Sequence, residues 1–337
     1  MLSHKAWINA TLAHQDTGAV PYNFMFTPVA ARKLCAHYGV ENVNAVLNMP
    51  MRTNAPHSPK PLYADPDEFG PTVTDEFGVV WSTNYLDRGA PLVYSLPEAD
   101  LSRFTFPDPR DPARFTDLAE WCVKNREHYT GIWVGALWER ATFMRSMEEL
   151  LFDLVENRPF VEELLEQLTD NILRTMEALF ALGEFDCCCL SDDYGSQRSL
   201  LMSPADWRAL IKPRLKRIIE LAKKHDKQFF LHSCGRVQEI IPDLIALGLD
   251  ILHPIQPETM DVYRLKREYG KDITFCGGVR TQDLLPYGAP AKVRAEVRKL
   301  KEIMGAGGGY ILEPGITLQA DVPLENLLAL VEEARAE

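Results

Sequence analysis

His232 and Cys234 stand two residues apart at the end of the apolar run Phe229-Phe230-Leu231. In extended backbone such a pair points to one side. An imidazole nitrogen and a sulfur therefore face a common point, where zinc could hold both at roughly 2.0 to 2.3 Å. A second apolar run, Leu249-Asp250-Ile251-Leu252, ends in His253, and others end in Cys276 and Glu313. Catalytic zinc takes about three protein ligands and keeps one position open. Glu313, Cys276 and His253 compete for the third place. Cys276 is alternatively a buried thiol in the tight turn FCGGV, and His253 a neutral hydrogen-bonding group over a pocket.

Asp192 and Asp193 form a second constellation. Adjacent carboxylates can bind a substrate cation, act as general base or orient a histidine, and either could simply cap the following turn. Tyr194, Gln256 and Asn48 also fall where apolar runs finish and are read as substrate-binding groups.

Positioning these residues requires a scaffold on which many strands end together. Short apolar runs alternate with amphipathic helical patterns, which signals a parallel sheet with crossover helices. The runs are residues 20–26, 43–48, 131–136, 185–190, 228–232, 249–253, 273–277 and 309–313. Eight such units close an α/β barrel of the (β/α)8, or TIM, type, whose active sites lie at the carboxyl ends of the strands. Ser203-Pro204 reads as a helix start, and Pro213 should kink or split that helix. A long amphipathic stretch from Met147 to Leu182 should break near Asn157-Arg158-Pro159. Residues 49–128, rich in Pro, Asp, Gly and aromatics, read as an excursion after the second strand, with 77–81 and 91–94 pairing as a hairpin. The whole chain, 1–337, is expected to be one domain.

The totals agree with a soluble enzyme. The chain has 337 residues, 46% hydrophobic and 25% charged, with a net charge of −12. That charge argues against nucleic acid and against an anionic membrane surface. No apolar run reaches the roughly 18 residues of a membrane span, and the first residues do not read as a signal peptide, so a cytoplasmic location is expected. The seven cysteines lack a disulfide spacing; Cys187-Cys188-Cys189, Cys35 and Cys122 read as core thiols.

The stretches DDYGSQ, SPADWRALIKPRLKRIIELAKKH, FLHSCGRVQEIIPDLIALGLDILHPIQP, TFCGGVRTQDLLPYG and GGGYILEPGITLQADVPLENLLALVEEA, with the earlier DEFGVVW, resemble the uroporphyrinogen decarboxylase superfamily. The likeness covers most of the chain and implies a single (β/α)8 barrel. Tetrapyrrole decarboxylases of this superfamily need no metal and carry an RQAGRY-like stretch that engages propionates; here the region reads NFMFTPVAARKL and NMPMRTNAP. Another branch contains zinc-dependent methyltransferases that exchange methyl groups with corrinoid proteins. Its His-x-Cys is matched by His232 and Cys234. Its further cysteine, in a PGCG-like turn, is not matched by Pro314-Gly315-Ile316, and Glu313 becomes the natural substitute.

The resemblance therefore implies zinc-dependent methyl transfer between a small substrate or thiol and a corrinoid protein, with zinc on His232, Cys234 and Glu313 or Cys276. Asp192, Asp193 and His253 would be catalytic, the corrinoid would be carried by a partner, and a homodimer is suggested. The alternatives are a metal-free decarboxylase of a tetrapyrrole or other carboxylic acid, or a non-catalytic binding protein that kept the barrel.

Overall fold

The computed structural model describes residues 2–58, 64–86 and 89–336; residues 59–63 and 87–88 of the excursion lie outside the described set. Strand β1 (Met51–Asn54) precedes a small antiparallel sheet of β2 (Thr72–Thr74), β3 (Val80–Ser82) and β4 (Pro91–Val93). Then come β5 (Tyr129–Gly135), β6 (Cys187–Ser191), β7 (Gln228–His232), β8 (Ile251–Ile255), β9 (Thr274–Val279) and β10 (Tyr310–Pro314). Helices separate these strands. The order β1-β5-β6-β7-β8-β9-β10 is parallel throughout, as expected of strands read as near-continuous apolar runs.

Residues 20–26 occupy the eighth place in the barrel, beside β10. Among the described residues they pair with β10 and the backbone after it through the bridges Tyr22↔Leu312 and Phe26↔Leu318. On the other flank the Phe24 amide donates to the Met49 sulfur, 3.2 Å away. The expected strand at 43–48 is not a strand. Asn44–Leu47 is a helical turn, the Asn42 side chain accepts from the Asn44 amide (2.8 Å), and Asn48 ends the turn in a left-handed conformation (φ 51°). Asparagine favours local side-chain-to-backbone bonds over a ladder. The strand instead forms at Met51–Asn54, in register with Tyr129–Ile132.

Helix ends follow the sequence signals. Ser203 accepts from the Asp206 amide (3.0 Å). Immediately before Pro213, the helix opens into a π turn at Trp207–Ile211 and then continues over Lys212–Lys224; proline there lacks the donor an α-helix needs. The break near Asn157 separates helices Met147–Glu156 and Arg158–Phe180. The expected hairpin is β3 with β4, extended by β2.

The reading of the sequence assigned no element before residue 20, yet helix His4–Leu12 forms there and closes the amino end of the barrel. Lys5 fixes it to residues that precede two strands, through the Glu127 carbonyl (3.3 Å) and an ion pair with Asp186 (2.7 Å). Its Ile8, fully buried, meets the barrel interior formed by Met51, Tyr129, Cys187, Cys189, Phe230, Ile251, Cys276 and Ile311. Ile8→Ala leaves a cavity in this enclosed layer and should cost about 2–4 kcal/mol, measured as a lower urea midpoint with an unchanged slope. Among the described residues no helix is long and apolar enough to cross a membrane.

Candidate active site

The ladder Ser191↔His232↔His253 sets three neighbouring strand ends in register at the carboxyl rim. Backbone bonds carry the register past the strands: the Asp192 amide donates to the His232 carbonyl (2.8 Å) and the Ser233 amide to the His253 carbonyl (2.6 Å). The loop after β7 then turns tightly against the loop after β6. Gly235 has φ 82°, and a Cβ there would lie 2.4 Å from the Gly195 backbone, so both the conformation and the close approach demand glycine. The Gln256 side chain accepts from the Gly235 amide.

This packing brings Asp193, His232 and Cys234 together. Cys234 Sγ lies 3.3 Å from His232 Nε2, and Asp193 Oδ1 lies 3.5 Å from the same nitrogen. Tetrahedral zinc bonds imply ligand separations of about 3.6 Å for sulfur–nitrogen and about 3.4 Å for nitrogen–oxygen. The donor set and spacings fit such an ion. Asp193 is itself oriented by the Cys234 amide, which donates to its Oδ1 at 2.7 Å. Burial disfavours a charged His232, but Cys234 and Asp193 outweigh it and raise its pKa well above the ordinary value. The Cys234 thiol is raised by burial, opposed by His232. A cation entering here displaces both protons, so its affinity should rise with pH.

Glu313 and Cys276, expected to complete the His232–Cys234 pair, form a separate and deeper group with His253. Their strands place them there: β9 and β10 lie beyond β8 in the sheet, whereas Asp193 follows the strand adjacent to β7. Cys276 donates to Glu313 Oε2 at 3.1 Å, and His253 Nε2 is 3.8 Å from the same oxygen. Asn23 reaches both Glu313 oxygens, at 3.1 and 3.2 Å. His253 and Cys276 are fully enclosed, and Glu313 is 2% exposed. Burial pushes the Cys276 thiol up, keeps His253 neutral and raises Glu313 to about 7. His253 joins the two groups, because its Nδ1 is 2.9 Å from Nδ1 of His232. Were His232 Nε2 to face a metal, its Nδ1–H would donate to His253. This is how a metal-ligating imidazole is usually fixed from behind.

A cavity of ≈ 350 Å³ opens on this site, and of the residues predicted from the sequence His232 lines it. The others have different surroundings. Asp192 is fully buried and accepts from the Glu139 amide (2.7 Å) at the start of helix Trp138–Arg145, and burial raises its carboxyl to about 7. Tyr194 is buried edge-on against Trp207 (5.7 Å). Gln256 braces the Gly235 loop. Asn48, assigned to a strand end, precedes β1, beside His4 at the opposite end of the barrel.

The remaining cavity wall was not assigned from the sequence. Phe77 and Trp81 come from the excursion, Trp133 from β5, and Glu139, Arg140 and Phe143 from the next helix. Glu139 accepts from Ser191 Oγ (2.8 Å) at the rim. Asp75 organises the DEFGVVW hairpin, accepting from the Phe77 and Val79 amides (2.9 and 3.0 Å), Trp81 Nε1 (3.0 Å) and Arg140 (2.6 Å). The signal was the Asp-x-Phe-Gly turn, but a turn alone does not reveal what it faces.

The family model "Uroporphyrinogen decarboxylase (URO-D)" matches residues 89–337. A uroporphyrinogen decarboxylase of Methylococcus capsulatus is 25% identical over 248 residues, 69% of this chain and 67% of its own length. A methylcobamide:CoM methyltransferase of Methanosarcina barkeri is 26% identical over 177 residues, 52% of this chain and about half (49%) of its own. In structure, a methyltransferase from Methanosarcina mazei matches with a TM-score of 0.73 at 20% identity, covering 99% of this chain and 98% of that one, which extends the likeness in fold to the entire chain. A barrel of this order, its chemistry gathered at the carboxyl rim and its last three quarters matched by one family model, has one assignment: the chain belongs to the uroporphyrinogen decarboxylase (URO-D) family.

Proposed function

We propose that this protein is a zinc-dependent methyltransferase that exchanges a methyl group between a small substrate or thiol and the corrinoid of a partner protein. The observation that carries this function is the Asp193–His232–Cys234 donor group beside the cavity, with spacings suited to zinc. Relatives named as methylcobamide:CoM and methylated-thiol–coenzyme M methyltransferases support the reaction class.

Bound there, zinc would supply a Lewis acid that lowers the pKa of a substrate thiol or polarises a methoxyl leaving group. The chain's own residues have separate tasks. His232, Cys234 and Asp193 hold the ion, while His253 aims the His232 ring. Glu139, held by Ser191 on the cavity wall, is placed to accept a proton or hydrogen bond from substrate. Asp192 anchors the helix that carries Glu139. Glu313 and Cys276 support His253 from below and take no part in binding the ion.

A metal-free decarboxylase is the second reading, favoured by the uroporphyrinogen decarboxylases among the relatives. It fits the cavity less well. Of its two candidates for stabilising a protonated intermediate, Asp192 is closed off from the cavity and Asp193 is drawn to His232 and the Cys234 amide. The arginines among the described cavity residues already pair with carboxylates: Arg140 with Asp75 and Arg114 with Glu76. Such pairs leave little cationic surface for a multiply charged acid.

Elemental analysis of the purified protein should find about one zinc per chain. Removing it with a chelator should stop methyl transfer from a methylated corrinoid to a thiol, and added zinc should restore it. Carbon dioxide release from an acid substrate in the presence of chelator would favour the decarboxylase instead.

A further inference from the structure

The walls of the cavity point to a substrate class. Four aromatic rings, Phe77, Trp81, Trp133 and Phe143, contribute to its lining from three different elements. Trp133 stands edge-on to the His232 imidazole, with centroids 6.5 Å apart. A planar group resting on Trp133 therefore lies next to His232. A volume of ≈ 350 Å³ is at the small end for ligand sites and accommodates one substituted ring.

Charge narrows the class further. Aromatic walls can recognise methylated cations through their ring faces, but here a resident cation takes that role. The Arg140 guanidinium carbon lies 4.5 Å from the Phe77 centroid and 5.7 Å from that of Phe143. Among the described residues the arginines of the lining are already paired, Arg140 2.6 Å from Asp75 and Arg114 with Glu76, which disfavours polyanions. What the wall offers in addition is an acceptor, Glu139.

We propose that the small-molecule substrate is an uncharged single-ring aromatic compound, its ring against Trp133 and a hydroxyl substituent donating to Glu139. This rests on the methyl-transfer function for its meaning but not for its test, since binding can be read without turnover. Titrations followed by calorimetry and by tryptophan fluorescence would compare para-methoxyphenol with its saturated analogue methoxycyclohexanol, and with tetramethylammonium. The phenol should bind about three- to tenfold tighter than the saturated alcohol, the order expected for aromatic contacts, and tetramethylammonium should not compete.

Trp133→Leu should lose about tenfold, with Phe143→Leu as the second wall variant should the first not fold. Glu139→Ala should weaken the phenol but leave methoxybenzene unchanged. Equal affinity for the saturated analogue, preference for tetramethylammonium, or no phenol binding to folded wild-type protein overturns the proposal. Binding retained in His232→Ala supports it, and holds even if that protein and the wild type both prove free of zinc. Failure of the metal assignment is thereby separated from failure of the substrate class.

Discussion

His232→Ala should lower zinc affinity by more than about a hundredfold and reduce methyl transfer to below about one per cent. Changes behind a metal ligand alone cost about 10–100-fold, and this change removes the ligand itself. Two of the three donors would remain, Cys234 and Asp193, linked by the hydrogen bond that the Cys234 amide donates to Asp193 and no longer bridged by an imidazole. The fold should survive, because the backbone bonds around residue 232 come from its amide and carbonyl, and the ladder to Ser191 and His253 does not use the ring. Cys234→Ser should behave similarly, since a hydroxyl is a poor substitute for thiolate at zinc. Zinc per chain, the thermal midpoint and turnover measured on the same preparation decide the matter. A His232→Ala protein that retains stoichiometric zinc and normal transfer would remove the basis of the proposed function.

The deeper carboxyl produces the second large effect, on stability. Glu313 titrates at about 7 in the fold against an ordinary 4.5, with burial the dominant cause and its bonds from Cys276 and Asn23 opposing it. Between those values the folded protein holds a proton that the unfolded chain has released. Stability contributed by this group is therefore present at low pH and declines as pH rises toward 7. The full difference is about 3 kcal/mol at roughly 1.4 kcal/mol per unit.

In zinc-free protein, Glu313→Gln should match wild type near pH 5 and exceed it by up to that amount at pH 8. Urea unfolding across this range tests it, and parallel curves for the two proteins would contradict it. Asp192, also raised to about 7 by burial, adds a decline of the same sign, so the variant should flatten the wild-type profile without levelling it.

Several of these features can be traced to local sequence. Period and apolar runs located the strands from β5 to β10, because a strand buried on both faces must be apolar whatever its neighbours. The ends of helices were similarly plain at Ser203, Pro213 and Asn157, where capping and the missing proline amide act within one turn. The likeness of HSCG and its surroundings to a known superfamily marked where chemistry lies. The strand assigned to 43–48 shows the limit of such signals: VNAVLN has the hydrophobicity of a strand, but the Asn42 side chain just before it captures the Asn44 amide and Asn48 takes a left-handed conformation, which turns the chain.

Alternating apolar runs and helical patterns along the chain were enough to indicate the barrel, and a separation of two residues was enough to pair His232 with Cys234. The assembled fold set the neighbour of that pair. Glu313, Cys276 and His253 were the candidates from residue type, but Asp193, which was not among them, belongs to the loop that follows the neighbouring strand and packs onto Gly235, and so stands beside His232 and Cys234. The fold decided as well that His253 stands behind His232, and that rings from residues 77, 81, 133 and 143 share one wall. Distances across a curled sheet depend on strand order and register, which no single segment encodes, so contacts between strands become definite only when the barrel is assembled.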